Sequence, residues 1–183
     1  MEKKSFFAIS AIGKDRPGIV ADITEMVYEC GCNLEDSSMT ILRGYFALLL
    51  LLSSHDRDIE NRLSASCKRL EWEKKLTIFF APITEAESSL KATDRRIEYE
   101  LQTTGLDKAG IVYKISRLLA DHGINVIDLN TKVAPSPQSG TPLYTMKIHM
   151  KVPPEIEESA LREELNRLEE DLSVEITLTR TGS

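Results

Sequence analysis

The strongest constraint on the fold is an internal repeat that relates the two halves of the chain. Residues 13–20 (GKDRPGIV) return as residues 105–112 (GLDKAGIV), about 92 positions later. Further identities keep the same spacing: Ile23 and Ile115, Gly31 and Gly123, Asn33 and Asn125, and Asp36 and Asp128. Two copies of one small unit therefore make up nearly the whole chain, and the residues they share concentrate at one turn.

The repeat predicts two domains, one over residues 1–82 and one over 95–183, joined by a polar linker over 83–94. A domain of this size can bury a core but is only marginally stable alone. We therefore expect the two halves to pack on each other or on a second chain, and we expect a homodimer.

Composition and charge exclude several classes of protein. The chain is 42% hydrophobic and 28% charged, as is usual for globular proteins. Its net charge of −6 argues against direct nucleic-acid binding, which needs clustered cations. The sequence holds neither a signal-peptide pattern nor an apolar run long enough to span a membrane, so we expect a cytoplasmic protein without a membrane partner. Cys30 and Cys32 lack a second ligand pair, and we expect neither a metal nor another cofactor.

Both halves show the same order of strand and helix patterns. The first half predicts strands over 5–12, 33–42, 45–52 and 75–81, and helices from Pro17 to Gly31 and over 56–70. The second half predicts strands over 96–103, 125–133, 143–152 and 173–180, and helices over 109–122 and 155–171. Residues 134–142, rich in proline and serine, replace a short turn and predict a surface loop. Pro82 is expected to end the fourth strand.

This order predicts an α+β fold of two ferredoxin-like (βαββαβ) domains. Each has a four-stranded antiparallel sheet with two helices on one face and the first and third strands in the centre. The leucine run over 48–52 agrees with a central strand. Strand 5–12 is apolar on both faces, whereas strand 96–103 has one polar face. We therefore expect the open face of the first sheet to be covered by the linker, the other half or another chain.

The repeated turn has the features of an anion site. The first helix of each half begins there, and a helix N-terminus presents unpaired N–H groups and partial positive charge. A carboxylate can bind to such groups, and glycine at 18 and 110 allows close approach. We expect Pro17 in the first helical turn and Asp15 or Arg16 at the N-cap.

Two roles are possible for each acidic or amide side chain that the motif places near the turn. Asp15 and Asp107 either cap their helices or accept the ammonium group of a ligand. Asn33 and Asn125 either contact that ligand or simply begin a strand. A glycine at 18 or 110 either approaches a ligand or permits tight packing, and valine there is expected to remove binding while preserving the fold.

The pattern Gly-x-Asp-[Arg/Lys]-x-Gly-[Ile/Val], present twice and followed by a glycine and an asparagine, resembles the ACT domain, a regulatory amino-acid-binding module. A chain of two such modules without an attached enzyme resembles the glycine cleavage system transcriptional repressor family. The resemblance implies binding of a small amino acid such as glycine or serine at an interface between modules, and action through a partner such as a transcription factor. The residues that it implicates are Asp15, Pro17, Gly18, Ile19, Asn33, Asp107, Ala109, Gly110, Ile111 and Asn125.

Catalytic motifs are absent from the sequence. It contains no zinc-protease, nucleophile-elbow, phosphate-loop or dinucleotide pattern, and its three histidines have no neighbours typical of a catalytic site. We therefore expect a non-enzymatic regulator. The alternative is a ligand-independent adaptor, because Lys108 and Ala109 depart from Arg16 and Pro17 of the first copy. An unrecognised enzyme is a more distant alternative.

Overall fold

A computed structural model describes residues 4–84, 96–106, 110–136 and 140–181. The chain divides into two compact units, Met1–Thr93 and Asp94–Ser183. Each unit contains one hydrophobic core. Among the described residues, no helix is long and apolar enough to cross a membrane.

The first unit follows the predicted order of elements. They are β1 (Ser5–Lys14), α1 (Ile19–Glu29), β2 (Asn33–Leu42), β3 (Tyr45–Ser54), α2 (Ile59–Lys74) and β4 (Thr77–Ile83). The second unit repeats it with β5 (Ile97–Leu106), α3 (Ile111–Asp121), β6 (Asn125–Pro135), β7 (Pro142–Val152), α4 (Glu158–Leu172) and β8 (Val174–Arg180).

Both sheets are antiparallel and have the predicted topology. Their strand orders are β2-β3-β1-β4 and β6-β7-β5-β8, so the first and third strands of each unit are central. One face of each sheet packs under the two helices of its unit. The expected α+β fold of two βαββαβ domains is confirmed.

The first helix of each unit ends at a glycine with positive φ. Gly31 and Gly123 have φ values of 71° and 64°, the left-handed region that glycine adopts without strain. The N–H of Cys32 donates to the carbonyl of Val27, and the N–H of Ile124 donates to that of Leu119. These bonds close the helices as predicted.

Several expected boundaries are wrong; the second helix, for example, ends at Lys74 and not at residue 70. Pro82 does not end β4, because Pro82 pairs with Phe7 and Ile83 pairs with Phe6. β4 is an edge strand, the place in a sheet where proline is tolerated. The loop expected over 134–142 is shorter, because β6 and β7 continue to a pair between Pro135 and Pro142.

The open faces of the two sheets differ in chemistry. In the first unit the leucine run alternates: Leu48, Leu50 and Leu52 are buried under the helices, whereas Leu49 is 54% exposed on the open face. The run thus marks a central strand with one face open. The open face of the second sheet is charged, with Glu100 3.3 Å from both Lys147 and His149 across the strands.

Candidate functional site

The motif shared by the two copies of the repeat forms, in the first unit, a tight turn between β1 and α1. The N–H of Ile19 donates to the carbonyl of Arg16 at 3.4 Å, which closes a four-residue turn with Pro17 and Gly18 at its centre. Gly18 has φ 85° and ψ −4°, the values of the third position of a type II turn, where proline commonly precedes glycine. Pro17 therefore lies in this turn and not, as expected, in the first turn of the helix.

Gly18 is the N-cap of α1, so the expectation of Asp15 or Arg16 at the cap is wrong. No side chain caps the helix among the described residues. The first intrahelical bond joins the N–H of Asp22 to the carbonyl of Gly18 at 2.9 Å. Apart from that of Ile19, which is bonded to Arg16, the N–H groups of the first turn, those of Val20 and Ala21, consequently have no partner within the helix.

The second unit repeats this geometry where it is described. Gly110 is the N-cap of α3 with φ 96° and ψ −6°, and the N–H of Lys114 donates to its carbonyl at 2.9 Å. An added Cβ at Gly110 would meet nothing within 4 Å. Glycine is thus required at this position by backbone conformation and not by packing. Asp107 and Ala109 lie outside the described residues.

Asp15 lies beside the N-terminus of α1 with an exposed side chain. Its backbone N–H donates to the carbonyl of Gly44 at 2.9 Å, which ties the turn to the β2–β3 hairpin. The carboxylate makes no hydrogen bond or ion pair with any described residue. The backbone of Asp15 therefore has a structural role, while its side chain is free to accept a hydrogen bond.

An ion-pair network holds the turn against the second helix. The Arg16 guanidinium donates to the Asp22 carboxylate at 2.5 Å, and the Lys74 ammonium at the end of α2 donates to the same carboxylate at 3.0 Å. These hydrogen bonds, first to Arg16 and then to Lys74, lower the pKa of Asp22 below its ordinary value. Asp22 also lies in the first turn of α1, where negative charge is favourable.

We expect Asp22→Asn to destabilise the first unit more near neutral pH than in acid. A carboxyl group whose folded pKa is lowered contributes stability above its unfolded pKa, and that contribution disappears as the pH falls through the folded pKa. Urea denaturation at about pH 7 and about pH 3 tests this. Glu25→Gln, on the same helix, is the matched control. A stability loss in Asp22→Asn of equal size at both pH values would contradict the expectation.

The second unit carries the opposite charge at the corresponding helix start. The position of Asp22 in α1 is taken by Lys114 in α3. Lys114 forms an ion pair with Asp171 of α4 at 2.5 Å. The first turn of α3 therefore presents a cation where α1 presents an acid, and the two turns differ in electrostatic potential.

The structure brings only part of the expected site together. Ile19 and Ile111 are 3% and 1% exposed, so their side chains belong to the cores and only their backbone is near the turn. Asn33 pairs with Ser53, which pairs with Phe6 at the opposite end of the sheet. At 3.3 Å per residue, that end is about 25 Å from the turn. Asn125 lies at the corresponding end of the second sheet, opposite Lys151.

Sequence reasoning missed the role of the first glycine of each motif. A Cβ on Gly13 would lie 2.5 Å from Cδ2 of Leu76, and one on Gly105 would lie 2.7 Å from Cγ1 of Val174. These glycines allow the end of the first strand to pack on the chain that leaves the second helix. A signal was available in the sequence: in both copies the strand pattern continues through a glycine at the same place.

Metal and thiol chemistry are not indicated by the described residues. None of their His, Cys, Asp and Glu side chains form a group of three placed to hold a metal ion. Burial, reinforced by the neighbouring Cys30, raises the pKa of Cys32 to about 11 and that of Cys67 to about 12. Both thiols therefore stay protonated near neutral pH, which makes them poor nucleophiles.

Comparison with known proteins supports the fold and the motif. The family model described as "ACT domain" matches residues 5–81. The glycine cleavage system transcriptional repressor of Escherichia coli strain K12 is 45% identical over 53 residues, which are 29% of this chain and 28% of that protein. This match thus spans less than a third of the repressor's length.

Two further similarities cover more of the proteins concerned. A UPF0237 protein of Streptococcus pneumoniae serotype 4 is 34% identical over 82 residues, which are 43% of this chain and 91% of that protein. A crystal structure of a protein of unknown function from Galdieria sulphuraria is 29% identical, with a TM-score of 0.79, and covers 98% of this chain and 99% of its own.

Proposed function

Because the chain belongs to the ACT domain family, we propose that it is a non-enzymatic cytoplasmic regulator that binds a small amino acid of the glycine or serine class. The observation that carries the proposal is the uncapped N-terminus of α1 beside the unpaired carboxylate of Asp15. An amino acid carries a carboxylate and an ammonium group on one carbon, and this turn offers a partner for each.

The ligand carboxylate accepts hydrogen bonds from the exposed N–H groups of Val20 and Ala21 at the helix start. The helix dipole adds a favourable potential there. The ligand ammonium donates to the carboxylate of Asp15. A small side chain suits a turn whose surface consists of Pro17 and Gly18, both exposed. In the second unit Asp107 corresponds to Asp15, and Ala109 and Gly110 correspond to Pro17 and Gly18. The N–H groups of Val112 and Tyr113, which follow Ile111, correspond to those of Val20 and Ala21.

Ligand binding then changes the affinity for a partner protein by linkage. The ligand must bind one state of the regulator more tightly than the other, and the partner must distinguish the same two states. The similarity to the Escherichia coli repressor supports a transcription factor of glycine or amino-acid metabolism as the partner. The net charge of −6 favours action through that partner rather than through direct contact with nucleic acid.

Calorimetric titration of the full chain with glycine, serine and the other amino acids tests the proposal. We expect saturable binding of at least one of them. Asp15→Asn should weaken binding to the first unit by about tenfold or more, because it removes the charge that the ammonium contacts. Asp107→Asn applies the same test to the second unit.

Asp58→Asn is the matched control for this experiment. Asp58 also precedes a helix, is exposed and forms no side-chain cap, but α2 begins at the opposite end of the unit. It should therefore leave affinity unchanged. Equal affinity of Asp15→Asn and the unaltered chain would refute Asp15 as the ammonium partner. If no amino acid binds, the alternative is a ligand-independent adaptor, which the departure of Lys108 and Ala109 from Arg16 and Pro17 favours.

A further inference from the structure

The open face of the first sheet is an exposed apolar surface on which large and small side chains are arranged in a regular pattern. Its centre consists of side chains of β1, β3 and β4 that point away from the helices. Ile12, Leu49 and Phe79 on it are 50%, 54% and 64% exposed. Exposed apolar surface of this kind on a sheet is commonly an interaction site.

Large and small side chains alternate across this face. Directly opposed residues of antiparallel strands share a face, so the register defines its rows. One row is Leu49, Ser10 and Phe79, with a small residue between two large ones. In the next row Ile12 lies between Ala47 and Thr77, so the large residue is central. Such a staggered pattern provides both projections and hollows, which two packed sheets need in order to interdigitate.

One hollow of the face is a shallow pocket of about 230 Å³. Its lining is apolar on the side of Ala8, Leu49 and Leu51, and it also includes Asp36, Ser37 and Ser38 of β2. Its volume accommodates a single large side chain of the kind that projects elsewhere on the same face.

We propose that this face packs against the same face of a second copy of the chain, forming a homodimer through the two first sheets. A two-fold interface brings a surface against itself, so a charged surface would repel its own copy. The centre of this face is uncharged, and its charged residues, Lys14, Asp36 and the ion pair of Lys4 with Glu35, stand at the margins. The second sheet, with Lys147, His149 and Glu100 on its open face, has the chemistry of a surface that remains in water.

The available area agrees with a dimer. The exposed parts of the large side chains on the face amount to about 500 Å² for each copy, since each such side chain presents on the order of 100 Å². The side chains are Ile12, Leu42, Tyr45, Leu49 and Phe79. Two copies would therefore bury about 1,000 Å² in total, the lower end of specific interfaces. The proposal does not depend on ligand binding at the turns.

Sedimentation velocity of the full chain from about 1 to 100 µM tests the proposal by resolving monomer from dimer. We expect a dimer, and Phe79→Lys should raise its dissociation constant by about 30-fold or more, because the change buries an unpaired charge. Thr177→Lys is the matched control, since Thr177 is exposed at the corresponding position of β8. It should leave the dimer intact.

Sedimentation of the purified chain distinguishes a second copy from any other occupant of the face, because no other partner is present. Phe79→Glu should also be monomeric, because a charge of either sign is buried without a partner. A monomeric unaltered chain, or a dimer that survives Phe79→Lys and Phe79→Glu, would overturn the proposal. Circular dichroism verifies folding, and Leu49→Lys with Leu49→Glu repeats the test at a second position if either Phe79 variant unfolds.

Discussion

Gly105→Ala should destabilise the second unit by about 2–3 kcal/mol, because the added methyl group overpacks a rigid contact. Its Cβ would lie 2.7 Å from Cγ1 of Val174 and 3.1 Å from both Cα and Cβ of that residue. Val174 is directly opposite Gly105 in the sheet and is 7% exposed. A β-branched side chain has few other rotamers, so relief requires a shift of the backbone.

The contact is tight because the chain turns sharply just before it. Ser173, the C-cap of α4, has φ 54° and sends the chain directly into β8 at Val174. Lys75 has the same conformation at the end of α2, immediately before Leu76. The same arrangement therefore places Gly13 against Leu76 in the first unit.

Gly13→Ala is the matched comparison and should cost about 1 kcal/mol, because the nearest atom is the end of a flexible side chain. That atom is Cδ2 of Leu76, at 2.5 Å, whereas the nearest backbone atom is 3.6 Å away. Hydrogen exchange of peptides from each unit measures both effects separately. In Gly105→Ala we expect exchange in β5 and β7 to accelerate by about 30-fold or more, with the first unit unchanged. Equal effects of the two substitutions would contradict this account.

The fold was predictable because the repeat and the strand order are both patterns of many residues. The period-two alternation of Ile97, Tyr99 and Leu101 and the helical spacing of Ile59, Leu63 and Cys67 each agree with several neighbours. An error at one residue does not change such a pattern. The prediction of a boundary depends on a single residue and has no such support. Pro82 was therefore wrongly predicted to end β4.

The candidate site was less predictable, because two local structures share one sequence. Pro17 before Gly18 suits both the first turn of a helix and the centre of a type II turn. Only the backbone angles of Gly18 decide between them, and the sequence pattern does not indicate those angles. The position of Asn33 was instead deducible, since a helix that returns along a strand must deliver the next strand to the opposite end of the sheet.

Gly18→Val should destabilise the first unit by about 2–3 kcal/mol, because a β-branched residue strongly resists a φ of 85°. Space is not the obstacle, since an added Cβ would meet only Nη1 of Arg16, at 4.0 Å. Gly18→Asn should cost about 1 kcal/mol or less, since asparagine tolerates positive φ in this type of turn. Urea denaturation of the two variants distinguishes two causes. Backbone strain should destabilise Gly18→Val much more than Gly18→Asn, whereas steric crowding would destabilise both variants.

The difference in stability expected between Gly18→Val and Gly18→Asn determines which variant can test the binding site. Valine at Gly18 was expected to remove ligand binding while preserving the fold, but the left-handed backbone makes it a stability variant as well. Asparagine keeps the turn and places a polar side chain beside the exposed N–H groups of Val20 and Ala21. If the carboxylate of an amino acid binds there, Gly18→Asn should weaken binding by about tenfold at nearly unchanged stability. Unchanged affinity in a stable Gly18→Asn protein would place the ligand elsewhere.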